Sequence, residues 1–203
     1  MKNWTFLFAI IIILASCQFD DDQYIQNILK ERMDKDSSFL IESESPLNPD
    51  QIKEFEGLKY FPIDRKYKLI AKLEPFEDDS IIQMRTSTDR LPNYRIYGNV
   101  YFNLEGKTHQ LIAYQSIDHL SDTLYKNLLF LPFTDNNSTV STYGGGRYID
   151  FVIPQADTFT LDFNKAYNPY CAYNHRWSCV IPPRDNALDI AIDAGEKKYA
   201  ELH

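Results

Sequence analysis

The side chains best suited to chemistry gather between Leu129 and Lys197. Arg147 follows three glycines, Gly144 to Gly146. A glycine loop beside a guanidinium can cradle a carboxylate or phosphate, because glycine permits close backbone approach and the planar fork offers parallel donors. The loop lacks the Gly-Lys-Ser/Thr ending of a P-loop and leads into a strand pattern, with no helix N-terminus to assist. A hairpin or bulge accounts for the glycines taken alone. Downstream, Asp162, Asn164, Asn168 and Tyr170 bring carboxylate, amide and phenol groups into one short segment. Such a set can hydrogen-bond a small polar ligand. Alternatively, Asp162 and Asn164 bond loop backbone while Tyr167, Tyr170 and Tyr173 pack the loop onto a sheet. Glu196 is an ion-pair candidate for Arg147. With Asp162 it makes a pair of carboxylates that could divide acid and base roles if the fold joined them. Taken together, Arg147, Asp162, Asn164, Asn168, Tyr170 and Glu196 are read as a ligand-binding site.

Familiar catalytic patterns are absent. The chain has no Gly-x-Ser-x-Gly elbow, no His-Glu-x-x-His, and no dinucleotide or kinase loop. No cofactor is expected. His109 and His119 are ten positions apart in a strand-rich stretch, which does not establish a shared face. Cys171 and Cys179, with His175 between them, lack the short paired spacings of a zinc site, so no metal is expected.

The elements that must position these residues are mostly strands. Two-residue alternation marks Tyr67 to Leu73, Ile81 to Thr86, Tyr94 to Leu104, Thr108 to Ser116, Leu124 to Phe133, Arg147 to Ile153 and Thr158 to Phe163, with a last run at Leu188 to Ile192. In the longest run Tyr94, Ile96, Gly98, Val100, Phe102 and Leu104 share the core face, and Glu105-Gly106 turns the chain into a hairpin. The remainder lacks helices long enough for parallel crossovers. The expected fold is therefore mainly β, a single antiparallel β-sandwich or partly closed barrel. It is preceded by an amphipathic helix over Asp20 to Lys35, in which Tyr24, Ile25, Ile28, Leu29 and Met33 recur at helical spacing. Ser43 to Asp50 then breaks the pattern with two prolines, and Asp50 is a candidate cap for a short helix over Gln51 to Phe55.

The N-terminus has a different character. Lys2, the apolar stretch from Trp4 to Ala15, and Leu14-Ala15-Ser16-Cys17 read as a signal peptide. About twelve apolar residues are too few for a membrane span, which needs about 20. The processing site resembles the bacterial lipobox. That resemblance implies cleavage before Cys17 and lipidation of Cys17, palmitate-type acylation included, as a stable membrane anchor. Position two after the anchor is Gln18, whereas an inner-membrane retention signal resembles Asp there, so the outer membrane is preferred. Asp20-Asp21-Asp22 resembles export tags and also reads as a solvated tether. The division is residues 1–16 as signal peptide, 17–45 as lipidated cysteine, tether and helix, and 46–203 as one β-rich domain. Of 203 residues, 44% are hydrophobic and 14% aromatic, enough for a core. Removing residues 1–16 changes the net charge from −8 to −9, because only Lys2 is charged there. An acidic surface disfavours nucleic-acid binding and adsorption to anionic lipid.

A longer resemblance joins these parts. Ser45-Pro46-Leu47, Leu58-Lys59-Tyr60-Phe61-Pro62, Leu131-Pro132-Phe133, Tyr143 to Tyr148, the run from Leu161 to Asn174, Cys179, Pro182-Pro183, Asn186 and Ala194-Gly195-Glu196-Lys197 together resemble the bacterial family catalogued as domain of unknown function 1684. Val180 departs from it, since members tend to have proline there. The family carries no assigned reaction, so the resemblance supports the fold and leaves activity open. Cys171 and Cys179 are the cysteines remaining after lipidation of Cys17. Outside the reducing cytoplasm a disulfide is their simplest account, with unpaired structural thiols, a redox-active pair or a zinc site with His175 as alternatives. The functional expectation is a cell-envelope lipoprotein whose domain binds a small polar or anionic ligand or an envelope partner. The alternatives are an envelope hydrolase using Asp162 and Glu196 with Arg147 as anion clamp, and a purely structural lipoprotein.

Overall fold

The computed structural model describes the backbone of residues 4–199 and the side chains of residues 22–199. The side chains of the expected signal peptide and of Cys17 lie outside the residues so described. A helix, α1 (Trp4–Phe39), is followed by a short helix, α2 (Pro49–Lys53). Asn48, not Asp50, caps α2: its side chain accepts from the amides of Asp50 and Gln51, and Gln51 reaches back to the Asn48 amide. The strands are β1 (Lys68–Pro75), β2 (Ile81–Gln83), β3 (Asn93–Leu104), β4 (Lys107–Ser116), β5 (Leu128–Phe133), β6 (Arg147–Val152) and β7 (Thr158–Asp162). Among the described residues these form one antiparallel sheet in the order β6-β5-β4-β3-β1-β7, with β2 also paired to β3. No helix among the described residues is long and apolar enough to cross a membrane.

The fold is mainly β, and the sheet curls into a half-barrel rather than splitting into a sandwich. Phe151 on edge strand β6 and Phe159 on the opposite edge strand β7 stack with ring centroids 4.4 Å apart. The core inside the curl is built from Val100, Phe102, Leu111, Leu129, Leu131, Phe133, Leu161 and Phe163 among others. The β3–β4 hairpin forms as the sequence predicts, with Glu105 and Gly106 both at positive φ, 54° and 76°.

The predicted face of β3 needs correction. A bulge separates Ile96, opposite Tyr114, from Gly98, opposite Ala113. One extra residue, Tyr97, reverses the alternation. Val100, Phe102 and Leu104 therefore face the main core, whereas Tyr94 and Ile96 face a second cluster with Met84, Tyr114, Tyr148 and Val180. Glycine is required at position 98 because a Cβ there would stand 2.4 Å from the Glu74 carbonyl oxygen.

Two other runs are shorter than their patterns. Leu124 to Asn127 forms turns, so β5 begins at Leu128. The Leu188 to Ile192 strand does not form: backbone pairing with Thr134 to Asn136 stops at one isolated parallel bridge, Thr134 with Ala187, and Ile192 donates to the Asp135 carboxylate. Helix α1 also packs on a narrower stripe than its composition suggests. Tyr24, Ile28 and Phe39 are buried against the domain, while Ile25, Leu29 and Met33 are 37%, 40% and 68% exposed.

Candidate functional site

The β3 bulge, α1 and the C-terminal loops meet around one cavity of about 570 Å³. Helix α1 supplies Ile28, Glu31, Arg32 and Lys35, Tyr60 comes from the segment before β1, and Tyr94 is turned inward by the bulge. Tyr148, Tyr167, Tyr170 and Trp177 complete walls that are largely aromatic. The rings are fixed by internal contacts. The Tyr148 hydroxyl donates to the Val180 carbonyl, Tyr167 donates to Asp150 at 2.5 Å, and Tyr170 meets Trp177 edge-on at 5.2 Å. This size suits a small organic molecule.

The polar groups of the cavity are predominantly cationic. Lys35 pairs with Glu196 at 2.8 Å, and Lys165 pairs with Glu31 at 2.6 Å. Arg32 makes no ion pair among the described residues. Its Nη1 and Nη2 donate to the carbonyls of Phe61 and Asn164 at 3.1 and 3.4 Å, and its guanidinium carbon lies 4.3 Å over the Tyr60 ring. Burial lowers its pKa, yet a guanidinium keeps its proton. Its Nε is buried without a hydrogen-bond partner, and so is the Tyr60 hydroxyl. Burial, then the charges of Glu196 and Asp36, push the Tyr60 pKa far up, so this hydroxyl stays neutral and can donate. Exposed Arg90 lines the same cavity, oriented by Ser178 through bonds of 3.1 and 2.9 Å, and makes no ion pair among the described residues. The chemistry on offer is a desolvated positive charge with neutral donors, set in aromatic walls.

Two of the six residues singled out in the sequence line this cavity, Asn164 and Tyr170. The Asn164 side chain is occupied by Tyr24, Asp64 and Asp162, so its backbone carbonyl is what holds Arg32. Tyr170 stands 43% exposed at the rim.

The other four do not line this cavity and are held by internal partners, with the Arg147 Nε and the Asn168 Oδ1 left without a hydrogen-bond partner among the described residues. Arg147, expected as an anion clamp, is fully buried. It pairs with Asp135 at 3.0 Å and donates to the carbonyls of Ala194 and Ile192. The expected Arg147–Glu196 ion pair is replaced by a contact to the Glu196 carbonyl at 3.4 Å. The Glu196 carboxylate instead accepts from Lys35, from the backbone and side-chain nitrogens of Asn168, and from the Tyr173 hydroxyl. Asp162 caps the turn at Phe163–Lys165 and accepts from Tyr24 at 2.9 Å. The acid–base pair with an arginine clamp is therefore not assembled at the cavity. Gly146, at φ +86°, packs under the Phe133 carbonyl, where a Cβ would stand 2.6 Å from that oxygen. His109 stacks on Phe102 and His119 lies by Tyr125, both away from the cavity. Among the described residues no group of three or more metal-ligating side chains occurs.

Cys171 and Cys179, the expected disulfide candidates, stand as unbonded thiols in this structure. They are neighbours nonetheless: the Cys171 amide donates to the Cys179 sulfur at 3.1 Å.

Sequence reasoning missed Arg32, Tyr60, Arg90 and Trp177. Arg32 lies within the predicted helix over Asp20 to Lys35 but is not among the apolar residues at helical spacing that defined it. A phase set by Tyr24, Ile28 and Phe39 would have placed it on the packed stripe, four residues after Ile28.

A curled antiparallel half-barrel with a helix closing an aromatic, cation-bearing cavity defines the structural class. The chain belongs to the family described as protein of unknown function, DUF1684, whose pattern matches residues 53–197. A solution NMR structure of an uncharacterised protein from Haloarcula marismortui is similar, with 33% sequence identity and a TM-score of 0.68. The match covers 88% of this chain and 96% of that one. No curated protein matches.

Proposed function

We propose that this protein is a binding module for a small organic anion with a flat, apolar body, carried at the cell envelope. Arg32 carries the reading: a half-buried guanidinium without a carboxylate partner among the described residues, beside a neutral Tyr60 hydroxyl likewise unpartnered among them, in an aromatic cavity. A buried cation costs free energy unless an anion meets it, and a carboxylate or phosphate would satisfy both Arg32 and Tyr60. Aromatic walls favour a flat body over a bare inorganic ion.

Titration of a panel of aromatic and aliphatic carboxylates and phosphate monoesters into wild type and Arg32→Gln tests the reading. Hydrogen bonds to a charged group contribute about 1.5–3 kcal/mol, so Arg32→Gln should weaken the best binder by about tenfold or more. Arg32→Lys, which keeps the charge and loses the fork, should fall between. Equal affinity in properly folded variants would refute it.

The envelope address is supported by the sequence of the first 17 residues. Incorporation of labelled palmitate that Cys17→Ala abolishes is the expected outcome, and labelling unaffected by that substitution would count against the anchor.

A further inference from the structure

We infer that Cys171 and Cys179 form a reversible dithiol site at the rim of the cavity, closed to a disulfide by exchange with a low-molecular-weight disulfide. The two sulfurs are held together by the short loop between them. Cys171 sits in the turn Tyr170–Ala172, and its amide donates to the Cys179 sulfur at 3.1 Å. The Tyr143 hydroxyl lies 3.6 Å from the Cys171 sulfur. Cys179 is tied to Ser87 by two bonds, its amide to the hydroxyl at 3.2 Å and its carbonyl from the Ser87 amide at 2.9 Å.

The donors around the pair favour a thiolate. The Cys179 thiol donating to it, together with Tyr143, pulls the Cys171 pKa down to about 6 against the opposition of burial. The same bond holds the remaining proton on Cys179, whose pKa is raised. A stabilised thiolate is both the species that attacks disulfides and the better leaving group, so the closed form should be readily reduced. Access differs between the two: Cys171 is buried, whereas half-buried Cys179 lines the cavity.

The exchange balances as follows. A thiolate of the pair attacks one sulfur of RS–SR; a protein–SR bond forms, the S–S bond breaks, and RS⁻ leaves and takes up a proton. The second cysteine loses its proton and attacks the protein sulfur of this mixed disulfide. The Cys171–Cys179 bond forms as a second RS⁻ departs and is protonated. Two protein thiols are oxidised by two electrons, and RS–SR is reduced to two RSH. A thiol reductant reverses both steps.

The site adjoins the cavity through its chain neighbours. Tyr170 precedes Cys171 and leans on Trp177, and Ser178, which orients Arg90, precedes Cys179. Closing the disulfide would therefore fix the rim.

Intact-mass measurement with alkylation of the folded full chain carrying Cys17→Ser, which leaves Cys171 and Cys179 as its two cysteines, tests the inference and does not depend on any cavity ligand. Reduced protein incubated with oxidised glutathione should lose the mass of two hydrogens and both alkylatable sites, and dithiothreitol should restore them. Each single variant, Cys171→Ser or Cys179→Ser, should retain a glutathione adduct on the cysteine that remains because the resolving thiol is gone. A Cys17→Ser chain that accumulates a lasting glutathione adduct, or keeps both thiols alkylatable, would overturn the inference. So would a closed disulfide that dithiothreitol fails to open in the folded protein.

Discussion

At the residue scale the molecule separates two kinds of buried arginine. Arg147 has a buried counter-ion, with Asp135 opposite its guanidinium and backbone carbonyls around its two terminal nitrogens, although its Nε, like that of Arg32, has no hydrogen-bond partner among the described residues. Arg32 has carbonyls and a ring face but no opposing carboxylate among the described residues. The distinction predicts different behaviour on substitution. Arg147→Ala leaves the Asp135 carboxylate buried and unpaired, so urea unfolding should show a loss of about 3–5 kcal/mol. Arg147→Met combined with Asp135→Leu should recover part of it, since an apolar pair of similar volume replaces a broken ion pair. If Arg147→Ala unfolds at the wild-type midpoint, the structural role assigned to Arg147 is wrong. The sequence made Arg147 conspicuous because glycine precedes it. What decides its role is Asp135, twelve residues away across a loop whose path no local pattern reveals.

At the element scale one side chain completes the join between two neighbouring strands. Strands β4 and β5 share a single paired position, Tyr114 opposite Phe130, and Pro132 has no N–H to offer the ladder. Asn186 fills the gap: its oxygen accepts from the Ile112 amide at 2.8 Å, and its nitrogen donates to the carbonyls of Ile112 and Pro132 at 2.8 and 2.7 Å. Asn186→Ala should cost about 2–4 kcal/mol by leaving those buried groups unmatched, and the Ile112 amide should exchange faster in hydrogen-exchange NMR. Unchanged protection at Ile112 would contradict this assignment.

The strands themselves were largely legible, because period-two alternation follows from burial of one face. The β3–β4 hairpin was the clearest case, its turn residues agreeing with the pattern on either side. The bulge at Tyr97 was not legible: alternation continues unbroken through Tyr94, Ile96 and Gly98, and close approach of Glu74 to Gly98 enforces the offset. That hidden offset is what brings Tyr94 to the cavity. Leu188 and Ile192 show the converse, since both are buried apolar residues without being in a strand.

At the scale of the whole molecule, an acidic chain carries a local concentration of positive charge. The cavity lining holds Arg32, Lys35, Arg90 and Lys165 against Glu31, while the chain after residue 16 carries −9 overall. A cleft of one sign within low-dielectric walls focuses field on a ligand that the distant surface would repel. The helix is essential to this arrangement. Arg32 and Lys35 lie on α1, before the family-matched segment that begins at residue 53, so the cavity is completed by a part of the chain outside that match. Lys35 joins the helix to the buried C-terminal segment through Glu196, and Tyr24 joins it to Asp162. The predicted candidates Asp162 and Glu196 thus serve to hold the helix over the site, which is why the sequence found the neighbourhood without finding its floor.

The most direct test is calorimetric titration of the tightest-binding aromatic carboxylate or phosphate monoester into wild type and Arg32→Gln at matched ionic strength. Melting curves would establish that both are folded. An affinity about tenfold or more lower in Arg32→Gln, at a similar melting temperature, is the predicted result. Binding of the same anion with unchanged affinity by folded Arg32→Gln would contradict the assignment of this cavity as an anion site.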